Sequence, residues 1–372
     1  MKISFRHFAL VVLFALLLAS TNMYAQNKPT KGFVLKGVIS GSTDGTMVRL
    51  VDIDGQKVLD SAMTISGTFV LQGHVNRPTA CWLQCNNEYA TIQVENTPMT
   101  FTSVLKEMNL NYTAQGGREQ SLQNLLNDQQ RQYERIYTSA YDSLNNKLYS
   151  DTTQKAKLIK TFKTAQDTYM NIYVAFGRKH IDSYIGLDIV YRNRQSIPKD
   201  SLILLYSNLP PFLKATSVAQ GLNTYATKKL ASKGDRFLNF EAQTIEGAPF
   251  KLSELKGKYI YLAFGSFSCG PCRMENREIA KHYGELSKSI TIVNFSLDVN
   301  RKEWEAAAKL DKIVWYNVSD MAGMVGRIKT LYNVQAMPTS FLINPDGLII
   351  ERFDGYSDEN ITKIARIASG VK

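Results

Sequence analysis

Cysteine and histidine are scarce in this 372-residue chain, with four of each. Four cysteines are too few for a disulfide-stapled scaffold. The histidines, His7, His74, His180 and His282, are scattered, which argues against a multi-histidine metal site. Charged residues make up 21 % and hydrophobic ones 44 %, with only 10 Pro beside 23 Gly, values that exclude collagen, coiled-coil rods and wholesale disorder. After the first twenty residues no apolar run approaches the roughly 20 needed to cross a bilayer. Long runs of one charge sign are missing too. Clusters such as Lys228-Lys229 are broken up by acids, so a formal charge of +11 describes a solvated basic surface and not a nucleic-acid site. A chain of this length holds two or three domains.

The first segment is an address. Lys2 and Arg6 precede an unbroken apolar run from Phe8 to Ala19, and small and polar residues follow as far as Ala25. This pattern describes a secretory signal peptide over residues 1–25, cut after Ala25. The alternative is an uncleaved inner-membrane anchor. No Cys occurs before Cys81, which excludes lipid attachment through a cysteine near the signal. The sequence thus predicts an exported protein, in a compartment where disulfides persist. Losing Lys2 and Arg6 takes the formal charge from +11 to +9.

Three regions follow, at 26–110, 111–231 and 232–372. The first has short β-branched and aromatic runs, such as Phe33-Val34-Leu35, Phe69-Val70-Leu71 and Ile92-Gln93-Val94, punctuated by Asp44-Gly45, Asp54-Gly55 and Ser66-Gly67. That spacing predicts a small antiparallel β-sandwich-like domain. In the second, Leu122, Leu126, Tyr133, Tyr137, Ala140 and Tyr141 recur at helical spacing, as do Leu158, Phe162, Ala165, Tyr169 and Tyr173, predicting amphipathic helices. Core packing is the reading of these tyrosine stripes. The third alternates near-continuous apolar strands at 259–264, 291–297 and 339–344 with helices at 271–287, 302–309, 321–331 and 358–369, the pattern of a mixed sheet covered on both faces. The fold class is therefore multidomain, α/β with α+β.

Chemistry concentrates where the 259–264 strand runs into Ser268-Cys269-Gly270-Pro271-Cys272-Arg273. Cys269 stands at the start of a helix, where unpaired N–H groups and the helix dipole favour a thiolate, the attacking species in disulfide exchange. Cys272, one turn on, can close a short disulfide and expel the partner. Half a zinc site and a structural staple are the bland alternatives. Zinc lacks a second ligand pair here, and so short a spacer makes a poor staple.

These residues resemble the thioredoxin-like fold, and within it the exported TlpA/ResA-like thiol-disulfide oxidoreductases. The matching pieces are Lys256-Gly257-Lys258, Cys-Gly-Pro-Cys with Arg273 and Glu275, Val334-Gln335-Ala336-Met337-Pro338-Thr339 and Asn344-Pro345-Asp346-Gly347. The resemblance implies that Pro338 is cis and that Met337 offers backbone groups to an extended substrate. It also makes Glu275 a partly buried acid that moves the proton of Cys272. Two residues depart from the family pattern: Ser268 stands where Trp is usual, and Arg277 where a helix-kinking Pro is common. The 26–110 region resembles an uncharacterised domain often found ahead of such modules.

With Thr79–Asn86 as a strand, Cys81 and Cys85 share one face about 13 Å apart, too far to bond, and read as small apolar residues. The functional expectation is an exported, periplasmic thiol-disulfide oxidoreductase that reduces protein disulfides, with no cofactor and no metal. An upstream thiol is its electron donor, and nucleic acid is not a partner. The alternatives are a peroxiredoxin-like thiol peroxidase, for which Phe264-Gly265-Ser266-Phe267-Ser268 ahead of Cys269 supplies neither the Thr nor the Pro, and a non-catalytic envelope binding protein built on a thioredoxin scaffold.

Overall fold

The computed structural model describes residues 32–54, 57–255 and 257–368. The segment read as a signal peptide, residues 1–25, lies outside them. Contacts divide the chain into two compact units, one from 32–52 with 57–121 and one from 122–368.

The first unit has eight strands: β1 (Phe33–Ser40), β2 (Met47–Asp52), β3 (Val58–Met63), β4 (Thr68–Gly73), β5 (Thr79–Cys85), β6 (Glu88–Val94), β7 (Pro98–Val104) and β8 (Tyr112–Gln115). They form two four-stranded sheets, ordered β4-β1-β7-β8 and β3-β2-β5-β6. Pairing is antiparallel throughout except between β1 and β7, which run parallel. Strict alternation in β1 sends Phe33, Leu35 and Ile39 inward, where they meet Leu50, Leu83 and Ile92 of the other sheet in one core. Gly37 takes its turn on that inner face because the Phe69 ring occupies the place of a side chain, 2.1 Å from where a Cβ would stand. Cys81 and Cys85 are free, buried in this core and remote from any bond to each other.

Helices follow, the first of them beginning within the last four residues of the first unit: α1 (Arg118–Asn145), α2 (Thr152–Lys179), α3 (Tyr184–Arg192), α4 (Lys199–Ser207), α5 (Pro211–Lys214) and α6 (Ser217–Thr227). Asp151 caps α2 by accepting the Gln154 N–H at 2.8 Å. The tyrosine stripes are seam packing, with Tyr137 edge-on to both Phe162 and Tyr169. Leu187, Val190, Leu202, Leu213 and Leu222 build a separate core from α3 to α6. No helix among the described residues is long and apolar enough to cross a membrane.

A seven-stranded mixed sheet completes the second unit. Its strands are β9 (Glu241–Thr244), β10 (Pro249–Lys251), β11 (Tyr259–Gly265), β12 (Ile290–Ser296), β13 (Tyr316–Ser319), β14 (Thr339–Ile343) and β15 (Ile349–Asp354), in the order β10-β9-β13-β12-β11-β14-β15. The helices are α7 (Gly270–Leu286), α8 (Arg301–Leu310), α9 (Arg327–Leu331) and α10 (Asp358–Ala368). β11 is buried on both faces. Tyr261 and Ala263 meet Ile279 and Leu286 of α7 and Ile361 and Ile364 of α10, while Ile260, Leu262 and Phe264 meet Ile328 and Leu331 of α9. Each such fully buried side chain contributes about 1.5–3 kcal/mol. The helix expected over 321–331 shrinks to α9 and one preceding 3₁₀ turn, because Met321 takes positive φ and Gly326, between the turn and α9, takes an extended ψ of 143°.

Candidate active site

The site sits where β11 hands over to α7. Cys269 is the residue before the first helical turn, and its Sγ accepts the Cys272 N–H at 3.2 Å. The two cysteines are joined as a disulfide with their Cα atoms 5.3 Å apart. Their exposure differs: Cys272 is 3 % exposed, whereas Cys269 is half-buried beside the exposed Ser268. One cysteine is partly exposed and its partner is covered. Gly265 allows that burial, since a Cβ there would lie 3.0 Å from the Cys272 Cβ and 3.3 Å from its Sγ.

Glu275 lies on the same buried helix face one turn beyond Cys272, and is 1 % exposed. The Tyr261 hydroxyl donates to its Oε1 at 2.5 Å and stands 2.7 Å from the Ser340 Oγ. Burial pushes the Glu275 carboxyl up to about 7, outweighing the Tyr261 hydrogen bond, which favours the charged form. A carboxyl raised to about 7 is therefore buried on the same helix as the covered cysteine, three residues beyond it.

The Met337–Pro338 peptide is cis. β14 pairs Thr339 with Phe264, so one further step of this antiparallel register sets Pro338 opposite Gly265, the residue against Cys272. The Pro338 carbonyl accepts the Gly355 N–H at 2.8 Å, and the Thr339 hydroxyl donates to the Ala336 carbonyl at 2.8 Å. Among the described residues, the Met337 N–H and carbonyl pair with no other backbone group. Gln335 is held from the helical region, where the buried Arg194 donates to its Oε1 at 3.0 Å. Cys269, Cys272, Glu275, Met337 and Pro338 are thereby gathered around β11. A cleft of about 550 Å³ at the opposite end of the sheet, between Lys258, Tyr283, Trp315 and Asn317, holds none of them. Among the described residues, no three His, Cys, Asp or Glu side chains are grouped to hold a metal ion.

Sequence reasoning missed three residues beside these. Tyr261 reads as one more apolar position in a buried strand. Asp298 could have been found, because Asn294, Ser296 and Asp298 place polar groups at every second position of an otherwise apolar run. Asp311 carries no local signal. It receives Arg277, the residue at the family's kink position, whose Nε donates to Asp311 Oδ1 at 3.0 Å while α7 continues unbroken.

Comparison with known proteins assigns the two ends of the chain. Residues 233–352 match the AhpC/TSA family, and residues 33–123 match a domain of unknown function, DUF4369. Thiol-disulfide oxidoreductase ResA of Bacillus cereus is 31 % identical over 136 residues, covering 35 % of this chain and 75 % of the relative. ResA of Halalkalibacterium halodurans is 29 % identical over 157 residues, covering 41 % of this chain and 87 % of the relative. A solved thiol-disulfide oxidoreductase from Bacteroides fragilis is 25 % identical, with a TM-score of 0.34, over 36 % of this chain and 99 % of that one. The DUF4369 match and the helices after it lie upstream of the region that matches AhpC/TSA. This chain belongs to the ResA-type thiol-disulfide oxidoreductases, with Cys269 and Cys272 as its redox pair.

Proposed function

We propose that the chain is an exported reductase of protein disulfides in which Cys269 attacks and Cys272 resolves. The observation that carries this reading is the unequal exposure of the two cysteines. In the dithiol form the Cys269 thiolate, favoured by the helix N-terminus, attacks one sulfur of a substrate disulfide. The substrate S–S bond breaks, its other sulfur leaves as a thiolate and takes up a proton, and a mixed disulfide on Cys269 remains. Glu275 then takes the proton of Cys272, whose thiolate attacks the Cys269 sulfur and releases the reduced substrate. The free N–H and carbonyl of Met337, presented by the cis Pro338, pair with the substrate backbone during the exchange. An upstream thiol donor closes the cycle, two of its thiols giving two electrons and two protons to the pair as they become a disulfide. Export rests on the apolar Phe8-to-Ala19 segment and its basic flank. A peroxidase reading is not favoured, because Phe264 to Ser268 contains neither Thr nor Pro.

Trapping tests the order of attack. Cys272→Ser should accumulate mixed disulfides with its substrates, since the intermediate forms without a resolving thiol. Cys269→Ser should trap very little. Adducts on Cys269→Ser instead would reverse the two roles, and none on either folded variant would remove the reductase reading.

A further inference from the structure

Two buried carboxylates outside the Cys–Glu–Pro set converge on one residue, Phe267, two positions before Cys269. Asp298, 7 % exposed, accepts the Phe267 N–H on Oδ1 at 2.8 Å, while its Oδ2 accepts the Ser296 hydroxyl at 2.7 Å. On the other side Arg273 Nη1 donates to the Phe267 carbonyl at 3.3 Å, and its guanidinium lies 5.4 Å from the centre of the Phe267 ring. Arg273 is itself held in a fork by Asp311, with Nε on Oδ2 and Nη2 on Oδ1 at 2.9 Å. The Asp311 side chain is wholly buried at the end of α8 and also accepts from Arg277.

The consequence is a closed ring of chain. Arg273 follows the second cysteine directly and reaches back to the residue two before the first. The segment 267–273, with both sulfurs inside it, is fastened at its two ends to each other and, through Asp298 and Asp311, to the ends of β12 and α8. A planar guanidinium making a two-bond fork loses little further freedom in gripping a third partner. Burying two carboxylates is unfavourable unless their hydrogen bonds are met, and here part of that bonding capacity is directed at the redox loop.

We propose that Asp298 and Asp311 are positioning residues, which hold Cys269 within bonding reach of Cys272 by fixing Phe267 from both sides. They touch neither sulfur. They act on the effective concentration of one thiol at the other, the quantity that sets how readily a dithiol closes. The inference rests on the Cys269–Cys272 pair and is independent of which cysteine attacks first.

The test is the equilibrium of the full-length protein with dithiothreitol, in which the protein disulfide takes two electrons and two protons as dithiothreitol closes to its ring disulfide. Asp298→Ala removes the acceptor for the Phe267 N–H, whereas Asp298→Asn keeps an acceptor oxygen for that N–H while losing the charge and the second oxygen, which accepts the Ser296 hydroxyl. Arg273→Lys keeps the charge but loses both the fork and the Phe267 carbonyl bond, while Arg277 on Oδ1 and Asn276 on Oδ2 still partner Asp311, and circular dichroism checks that the variant is folded. Asp298→Ala and Arg273→Lys should each weaken closure of the disulfide about tenfold, which is about 30 mV for this two-electron couple. Asp298→Asn should stay within about twofold of the parent, a rescue that a charge effect would not produce. Closure constants unchanged in Asp298→Ala and Arg273→Lys overturn the proposal. So does an Asn variant that falls as far as the Ala variant, since the retained Phe267 bond would then not be what holds the pair. An error in the order of attack would instead appear as adducts on the wrong cysteine and leave these constants untouched.

Discussion

Replacing Glu275 by Gln isolates the free energy of one buried acid. In the folded protein the carboxyl titrates near 7, because burial disfavours its charged form, against 4.5 for the same group in water. Between those values the folded state keeps a proton that the unfolded chain releases, so stability falls as pH rises from about 4.5 through about 7. Above that window the full penalty persists, and at about 1.36 kcal/mol per pH unit it amounts to about 3 kcal/mol. Gln cannot ionise and escapes this loss. The Gln variant should therefore gain on the wild type by about 3 kcal/mol between about pH 4.5 and about pH 8. The oxidised protein is the form to compare, because the disulfide removes Cys269 and Cys272 from the titration. Urea unfolding followed through Trp304 and Trp315, with Trp82→Phe in both proteins, reports on the α/β region. In the reduced protein the same substitution should abolish the rise in exchange rate across neutral pH, since no group would remain to accept the Cys272 proton. Stability differences that stay constant from acid to alkaline pH, together with an unaltered rate profile, would refute the reasoning.

Two further outcomes follow from packing. Gly265→Ala should disturb the pair, because its methyl group would press on the Cβ and Sγ of Cys272 at 3.0 and 3.3 Å; we expect a loss of about 1–3 kcal/mol in urea unfolding and slower disulfide reduction in an insulin assay. The double change Cys81→Ala and Cys85→Ala should leave turnover at wild-type level while lowering stability by about 1–2 kcal/mol for each lost sulfur; loss of turnover in a folded protein would instead make these thiols part of an electron relay.

The α/β region was legible from sequence because its local signals agree with one another. β11, β12 and β14 are apolar runs bounded by turns, α7 and α10 begin and end where expected, and Cys-Gly-Pro-Cys lies at a strand–helix junction. The cis peptide at Pro338 was legible only through resemblance, since nothing in one dipeptide selects the minor isomer. The short strands β9, β10 and β13 escaped, being too brief to show a period. Glu275 could be named but not its partner, because Tyr261 shares a strand face with Ala263 and looks like core. Asp311 was invisible for a plainer reason. Its value depends on α8 ending where Arg273 and Arg277 can reach it, and that arrangement exists only after the sheet has formed.

The parallel contact between β1 and β7 governs how the first unit comes into being. Val34 takes Pro98 as its partner and Ser40 takes Val104, so the first strand completes its sheet only with nearly the last. As the chain is made from its N-terminus, β1 can find β4 early, through the Gly37–Phe69 fit, but its other edge stays open until β7 exists. Contacts this far apart in sequence close slowly, since the intervening chain must surrender its freedom first. During that interval an alternating strand with an unpaired edge is exposed to neighbouring chains. The sandwich therefore matures only when β7 has been made, and the hazard of the open β1 edge is confined to the time before residue 104 arrives.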